Sequence, residues 1–263
     1  MATLAYPHSK PVGRDDRFFR NTAFAMAVTV VAGFSLQHLA GRSSFHAPPL
    51  VHAHAIVFLG WVAIYVAQAV LAANGSLALH RRLGWVAAGW MVAMLVLGIT
   101  VTVAMVRAGH APFFFLPAQF LVFNPLSLIV FVGLTTAAIV MRRRTDWHRR
   151  LHYCGMAMLL GPAFGRLLPS PLLMPYAFEA TFVATMIFPI LGVVADLRRT
   201  GRVHPAWAWG IGTMVAFLFL VEGMAHGPAG AALYRAVTAG SPAAGIDPNA
   251  FPPPPGAPLI TGA

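Results

Sequence analysis

Long apolar runs alternate with short basic or turn-rich links along this chain, and the alternation sets its architecture. A membrane span takes about 20 mainly apolar residues. Seven stretches meet that need and predict helices at Thr22–Leu39, Leu50–Ala73, Leu83–Val106, Ala118–Met141, His152–Leu168, Tyr176–Leu197 and Trp207–Ala225. Pro162 interrupts the fifth, which a membrane helix tolerates when neighbours satisfy the freed carbonyl. The pattern predicts an all-α, polytopic membrane helix bundle of about seven transmembrane helices.

Basic residues orient the bundle, because Lys and Arg stay on the cytoplasmic side. With the N-terminus cytoplasmic, the inner segments hold Lys10, Arg14, Arg17, Arg20, Arg81, Arg82, Arg142, Arg143, Arg144, Arg149, Arg150, Arg198, Arg199 and Arg202, and the outer side holds only Arg42, Arg107, Arg166 and Arg235. Fourteen against four is a bias that a missed or extra span would scramble. The expected setting is the lipid bilayer of a bacterial-type inner (plasma) membrane. Residues 1–20 have no apolar core followed by a small-residue cleavage site, and read as a cytoplasmic tail. Residues 21–226 form the bundle. Residues 227–263, rich in Pro, Gly and Ala, read as an extended outer tail without a core of its own.

Composition agrees. Of 263 residues 58% are hydrophobic and 10% charged, against about 25% charged in a soluble domain. The net charge of +11 belongs to orienting loops, so nucleic acid is not an expected partner. Cys154 is the only cysteine, which excludes an intrachain disulfide and a Cys-based metal or iron–sulfur site. The six Trp residues, Trp61, Trp85, Trp90, Trp147, Trp207 and Trp209, read mostly as interfacial belts. Gly84, Gly89, Gly98, Gly192, Gly210 and Gly212 read as places where helices approach closely.

Histidine adds the candidate chemistry, since it ligates metals and carries protons. The residues sort into two layers. His80, His148 and His152 lie near the inner face; His38, His46, His52, His54, His110 and His226 lie near the outer face. His8 and His204 fall in inner polar segments and read as solvated. His148 and His152 are four apart and share a helical face. His52 and His54 point about 200° apart on a helix, and the deeper His54 is the inward candidate. Glu222 and His226 share a face one turn apart, and Glu179 lies near the outer end of its helix. An ionisable residue within a span is a functional candidate, the plainer alternative being a Glu paired with Arg107 or Arg166.

A short internal echo links the layers. Leu79–Trp85 reads LHRRLGW and Trp147–Tyr153 reads WHRRLHY, each following one apolar helix and opening another, as in a parallel repeat. Aligning His80 with His148 puts Val122 opposite His54, so the second copy has no outer His.

The run from His54 through Gly60 and Gln68 to His80-Arg81-Arg82-Leu83-Gly84 resembles the paired-helix motif of transmembrane di-haem cytochromes b of the ascorbate-reducible type. It is also similar to the helix starts of ferric-reductase-like membrane domains. The resemblance covers the second and third stretches, with a fainter continuation at His148. It implies haem b held by axial His from different helices, one haem near each face. On this chain that implies an inner pair of His80 with His148 or His152, and an outer haem on His54 whose second ligand would come from His38, His110 or His226, His38 lying at a similar depth. The family commonly has six helices where seven are predicted here. With no nucleotide- or flavin-binding domain in the chain, the electron donor is expected to be a small molecule, a quinol or a partner membrane subunit.

The leading expectation is an integral membrane electron-transfer protein. One alternative is a non-haem metal enzyme with iron, copper or zinc at an outer site of His38, His54, His110, His226 and Glu222. Another is a structural or assembly subunit of a larger membrane complex.

Overall fold

The computed structural model describes residues 13–43 and 46–254. Within them the chain is all-α, with helices α1 (Arg14–Leu39), α2 (Pro49–Ala73), α3 (Leu77–Arg107), α4 (Pro117–Val140), α5 (Thr145–Met158), α6 (Gly161–Leu167), α7 (Ala177–Thr200), α8 (Pro205–Ala225) and α9 (Pro228–Thr238). Short 3-10 turns occupy Ser170–Leu173 and Pro242–Gly245. Six helices, α1, α2, α3, α4, α7 and α8, are long and apolar enough to cross a membrane. Their outward faces carry large exposed apolar side chains such as Val28, Ile56, Val92, Val140, Val183 and Phe219. Water does not favour such a surface, and hydrocarbon does; this is a multi-pass membrane protein in a lipid bilayer.

The fifth predicted stretch differs from expectation in both start and continuity. Its helix opens at Thr145, seven residues before His152, so the WHRRLHY echo lies inside it. It breaks after Met158 and restarts as α6 with Pro162 in its first turn. Pro162 has no N–H to give to the Met158 carbonyl, and its ring crowds that position. The third stretch likewise starts early, at Leu77, which places His80 in the first turn of α3.

Short links make antiparallel hairpins. Asn74, Gly75 and Ser76 join α2 to α3, with Gly75 at φ +75°, a conformation that strains other residues. Met141–Arg144 joins α4 to α5. The α5 helix is central: every residue from Tyr153 to Met158 is buried, between α4 on one side and α7 and α8 on the other. The α1 helix closes the far side against α2 and α6.

Small residues set the close approaches, though not all those expected. A Cβ on Gly98 would lie 2.3 Å from Leu128, on Gly192 2.1 Å from Trp207, and on Gly210 2.4 Å from Cys154. Gly89 and Gly212 have nothing within 4 Å and do not mark a crossing. Gly33 was not singled out from the sequence, yet a Cβ there would meet the Ala163 carbonyl oxygen at 2.6 Å. Backbone cannot swing aside as a side chain can. Gly33→Val is expected to push α1 off α6 and to destabilise by about 1–3 kcal/mol, the usual cost of overpacking. Gly89→Val, on an open face, is the control; equal melting temperatures for the two variants in detergent would refute the tight α1–α6 crossing.

The tail after residue 226 is not simply extended, as its composition had suggested. Its Pro228–Thr238 segment forms α9, whose Ala231, Tyr234 and Thr238 are buried against α3, α4 and α8. Arg107 at the end of α3 donates to the Val237 and Ala239 carbonyls. The Pro248 carbonyl accepts the Ala118 N–H at 3.0 Å, one of the unpaired donors at the start of α4. Composition misled here because Ala-rich segments fold as helices once a neighbour buries one face.

Candidate functional site

The two echoed segments build matching corners at the inner end of the bundle. In the first, the His80 ring, in the first turn of α3, places Nδ1 3.2 Å from the Gln68 carbonyl of α2. In the second, the His148 ring, in the first turn of α5, places Nδ1 2.8 Å from the Ala138 carbonyl of α4. Both carbonyls sit near the end of the preceding helix. A carbonyl accepts only, so each Nδ1 carries a proton, and in the neutral form of either ring the lone pair would lie on Nε2. Metal-ligating imidazoles are commonly oriented in this way.

The corners face each other. The His80 and His148 ring centroids are 6.2 Å apart with planes at 80°, and His152, one turn beyond His148, lies 4.9 Å from it. All three rings are at least partly buried. The inner three predicted residues are therefore brought together.

The outer layer is divided. On α2 the His54 ring stacks on Phe58 at 4.1 Å, and its Nδ1 finds no hydrogen-bond partner among the described residues. On the other side of the bundle, Glu222 accepts from Gln119 Nε2 at 2.9 Å and lies 3.1 Å from His226 Nε2. Glu179 and His226 line a cavity of about 140 Å³ there with Gln119, Tyr176 and Phe251. His38, His46 and His110 are exposed, and His52 is half-buried. Among the described residues no three His, Cys, Asp or Glu side chains converge as a metal-ligating set. The proposed grouping of His54, His110, His226 and Glu222 is thus not assembled; only Glu222 and His226 meet. Neither Arg107 nor Arg166 pairs with a Glu in the contacts seen: Arg107 holds tail carbonyls, while Arg166 donates to the Pro162 carbonyl and lies over the Phe34 ring.

A charged network at the inner end was missed by the sequence reading, which treated its arginines as orienting loop residues. Asp196 of α7 is 2% exposed and takes a two-pronged contact from Arg150 of α5, with Nε at 2.9 Å and Nη2 at 2.7 Å. The Trp207 indole N–H donates to the same carboxylate at 2.8 Å, and Arg199 adds a contact at 3.0 Å. Arg199 and Arg149 also pair with Asp15 of α1, and Arg149 reaches Asp16. One clue was available: the chain has only seven acidic residues, and four of them (Asp15, Asp16, Asp146 and Asp196) lie on the Arg-rich side.

Two tryptophans also depart from the interfacial reading. Trp61 is 3% exposed and Trp207 fully buried, whereas Trp85 and Trp209, at 70% and 68%, do face outward. The indole of Trp207 is held by Asp196, so its depth follows from a polar partner.

His204 caps α8: its Nδ1 accepts the Ala206 N–H at 3.2 Å. Burial and the Arg150 guanidinium, helped by Arg149, hold its pKa below the ordinary value, partly offset by Asp146 and Asp196. A protonated Nδ1 also cannot accept the capping bond. The unfolded chain therefore binds this proton more readily than the folded one. The stability contributed by neutral His204 is present above the ordinary His value of about 6.5 and fades as pH falls below it. His204→Asn keeps a capping oxygen without the titration. It is expected to flatten the acid side of the melting-temperature curve; an unchanged slope would show that His204 does not contribute.

Compared with protein-family models, curated proteins and solved structures, the chain matches none.

Proposed function

We propose that this protein is an integral membrane electron-transfer protein that holds haem b near the inner membrane face, with His80 and His148 as axial ligands. The observation that carries the reading is the facing pair of imidazoles, each with Nδ1 bound to a backbone carbonyl. Haem iron asks a protein for one or two axial ligands, whereas a bare zinc, copper or iron site takes three or more protein groups. His152 lies 4.9 Å from His148, yet among the described residues no three His, Cys, Asp or Glu side chains form a metal-ligating set, and two anchored imidazoles suit the haem. The 6.2 Å separation of the two rings would put both imidazoles within reach of one haem group.

In this reading haem supplies one-electron chemistry when bound. The Gln68 and Ala138 carbonyls fix the ring tautomers and orientations. Spans α2 and α4 carry those carbonyls, so each hairpin positions its own ligand. His152 stands behind His148 as a polar neighbour. His54 is stacked on Phe58 and its Nδ1 has no carbonyl anchor among the described residues, so we propose a single centre. The electron donor is a quinol, another small reductant or a partner subunit, and the setting is a bacterial-type plasma membrane.

The test is the absorption spectrum of protein purified from membranes grown with haem available. A Soret band that shifts on reduction is expected. A colourless preparation that contains no haem by pyridine extraction overturns the reading and leaves the structural-subunit alternative.

A further inference from the structure

A cavity of about 350 Å³ opens at the inner end of the bundle, between the start of α5 and the link from α7 to α8. Its size falls in the range of about 300–1,000 Å³ that small-ligand sites occupy. Asp146, Arg149, Arg150, Asp196, Arg202 and His204 are on its walls. Most of these charges are matched within the protein. Arg149 is paired with Asp15 and Asp16, and Asp196 with Arg150 and Arg199. Arg202 and Asp146 are not. The Arg202 guanidinium makes no ion pair or hydrogen bond among the described residues, since the contacts of Arg202 with Thr200 run through its backbone. The Asp146 carboxylate is 60% exposed and meets His204 Nε2 only at 3.7 Å, beyond hydrogen-bond distance. His204 Nδ1 accepts the Ala206 N–H, so the neutral ring carries its proton on Nε2 and leaves that donor to the cavity. A cation, an anion and a neutral donor thus share one cavity without satisfying one another.

The cavity continues onto an apolar surface. Pro205 lines it, and Pro205, Trp209, Gly212, Ala216 and Phe219 recur at the three- and four-residue spacing that keeps side chains on one face of a helix. All five are exposed. Trp209 and Phe219 are bulky, at 68% and 70% exposure, whereas Gly212 between them has nothing within 4 Å of the place a Cβ would take. The face is therefore a shallow trough that leads from the cavity along a membrane-spanning helix. An acyl chain takes such a course, and a water-soluble ligand has no use for it.

We infer that the cavity holds the headgroup of an ethanolamine phospholipid, with the phosphate on Arg202 and His204, the ammonium on Asp146 and an acyl chain in the α8 trough. Pockets with basic side chains at the ends of spans are known headgroup sites, and here charge selects the headgroup. A purely anionic lipid would set its phosphate beside the Asp146 carboxylate with nothing to answer it. A choline lipid has the right charges, but its ammonium has no N–H to give. A primary ammonium offers three donors, and a charge-assisted hydrogen bond is roughly twice as strong as a neutral one. The inference goes beyond the proposed electron transfer and stands whether or not haem is bound.

The test is competitive lipid binding to the purified full-length protein, stripped of lipid in detergent and read by native mass spectrometry. The competitors are ethanolamine and choline phospholipids with identical chains at equal concentration. The parent protein is expected to retain the ethanolamine lipid about tenfold over the choline lipid, the worth of one charge-assisted hydrogen bond. Asp146→Asn is expected to bring the two to near equality, and Arg202→Gln to lower retention of both. Both side chains are exposed and stand apart from the buried Arg150–Asp196 pair, so neither change is expected to unfold the protein. Arg143→Gln, an exposed charge in the α4–α5 link, is the control and is expected to change nothing. Equal retention by the parent overturns the inference, as does a parental ratio in Asp146→Asn. An Arg143→Gln effect equal to that of Arg202→Gln shows unspecific surface charge and overturns it too. Free phosphoethanolamine is the last arm: if it raises the melting temperature as much as the lipid does at equal concentration, the site belongs to a soluble phosphoester. None of these readouts depends on a haem spectrum, so failure here is separate from failure of the electron-transfer reading.

Discussion

Asp196→Ala is expected to destabilise the protein by about 3–5 kcal/mol, the usual cost of removing one partner from a buried ion pair. The substitution leaves Arg150, 5% exposed, with its charge unmatched by the carboxylate. It also strips the acceptor from the Trp207 indole and one contact from Arg199. For a chain of this size the loss corresponds to a fall in melting temperature of roughly 10 °C, read by tryptophan fluorescence in detergent. Desolvating two charges costs much of what their attraction returns. For that reason the paired replacement Arg150→Met with Asp196→Leu is expected to recover most of the loss, although either single change does not. If Asp196→Ala melts within about 2 °C of the parent, a shift smaller than 1 kcal/mol for this size, the network does not hold α5, α7 and α8 together.

If the proposed haem is bound between His80 and His148, His80→Ala and His148→Ala are each expected to lower haem occupancy at least about 100-fold, more than the 10–100-fold cost of disturbing a ligand's supporting partner. The bleaching is read as the Soret-to-protein absorbance ratio after purification. His152→Ala is the discriminating control: its ring neighbours His148 but is not anchored to a carbonyl in the contacts seen, so it is expected to shift the reduction potential while the band remains. Exogenous imidazole supplied to His80→Ala is expected to restore part of the band, because the cavity left by the ring admits the free ligand. If all three alanine variants retain the parent's band, the haem is held elsewhere.

The sequence reading and the structure part company at particular places, and each has a physical cause. The apolar runs located the spans because backbone groups in hydrocarbon must bond within a helix, which leaves little freedom in where the chain crosses. The break at Leu159–Leu160 was foreshadowed by Pro162, whose missing N–H acts locally. Placing His80 and His148 at one depth was also legible, since each opens a helix after a short basic link. The α9 helix was not legible, because burial against α3, α4 and α8 outweighs a composition that favours an extended tail. The pairing of Asp196 with Arg150 was hidden for a similar reason. The two residues are separated by α6 and most of α7 along the chain, and no local spacing relates them. Trp207 read as interfacial for want of the same knowledge.

By itself, then, the amino-acid sequence determined an all-α, multi-pass membrane bundle and grouped its described histidines towards the two ends of the helices, since both follow from hydropathy and helical repeat along a single element. Only the tertiary structure decided which imidazoles face one another, that Glu222 meets Gln119 and His226 rather than an arginine, and that Asp196 gathers the inner arginines. Those outcomes depend on how helices rotate and cross, and rotation is settled by side chains meeting from segments far apart in the chain, such as Trp61 on Phe131 and Gly33 against Ala163.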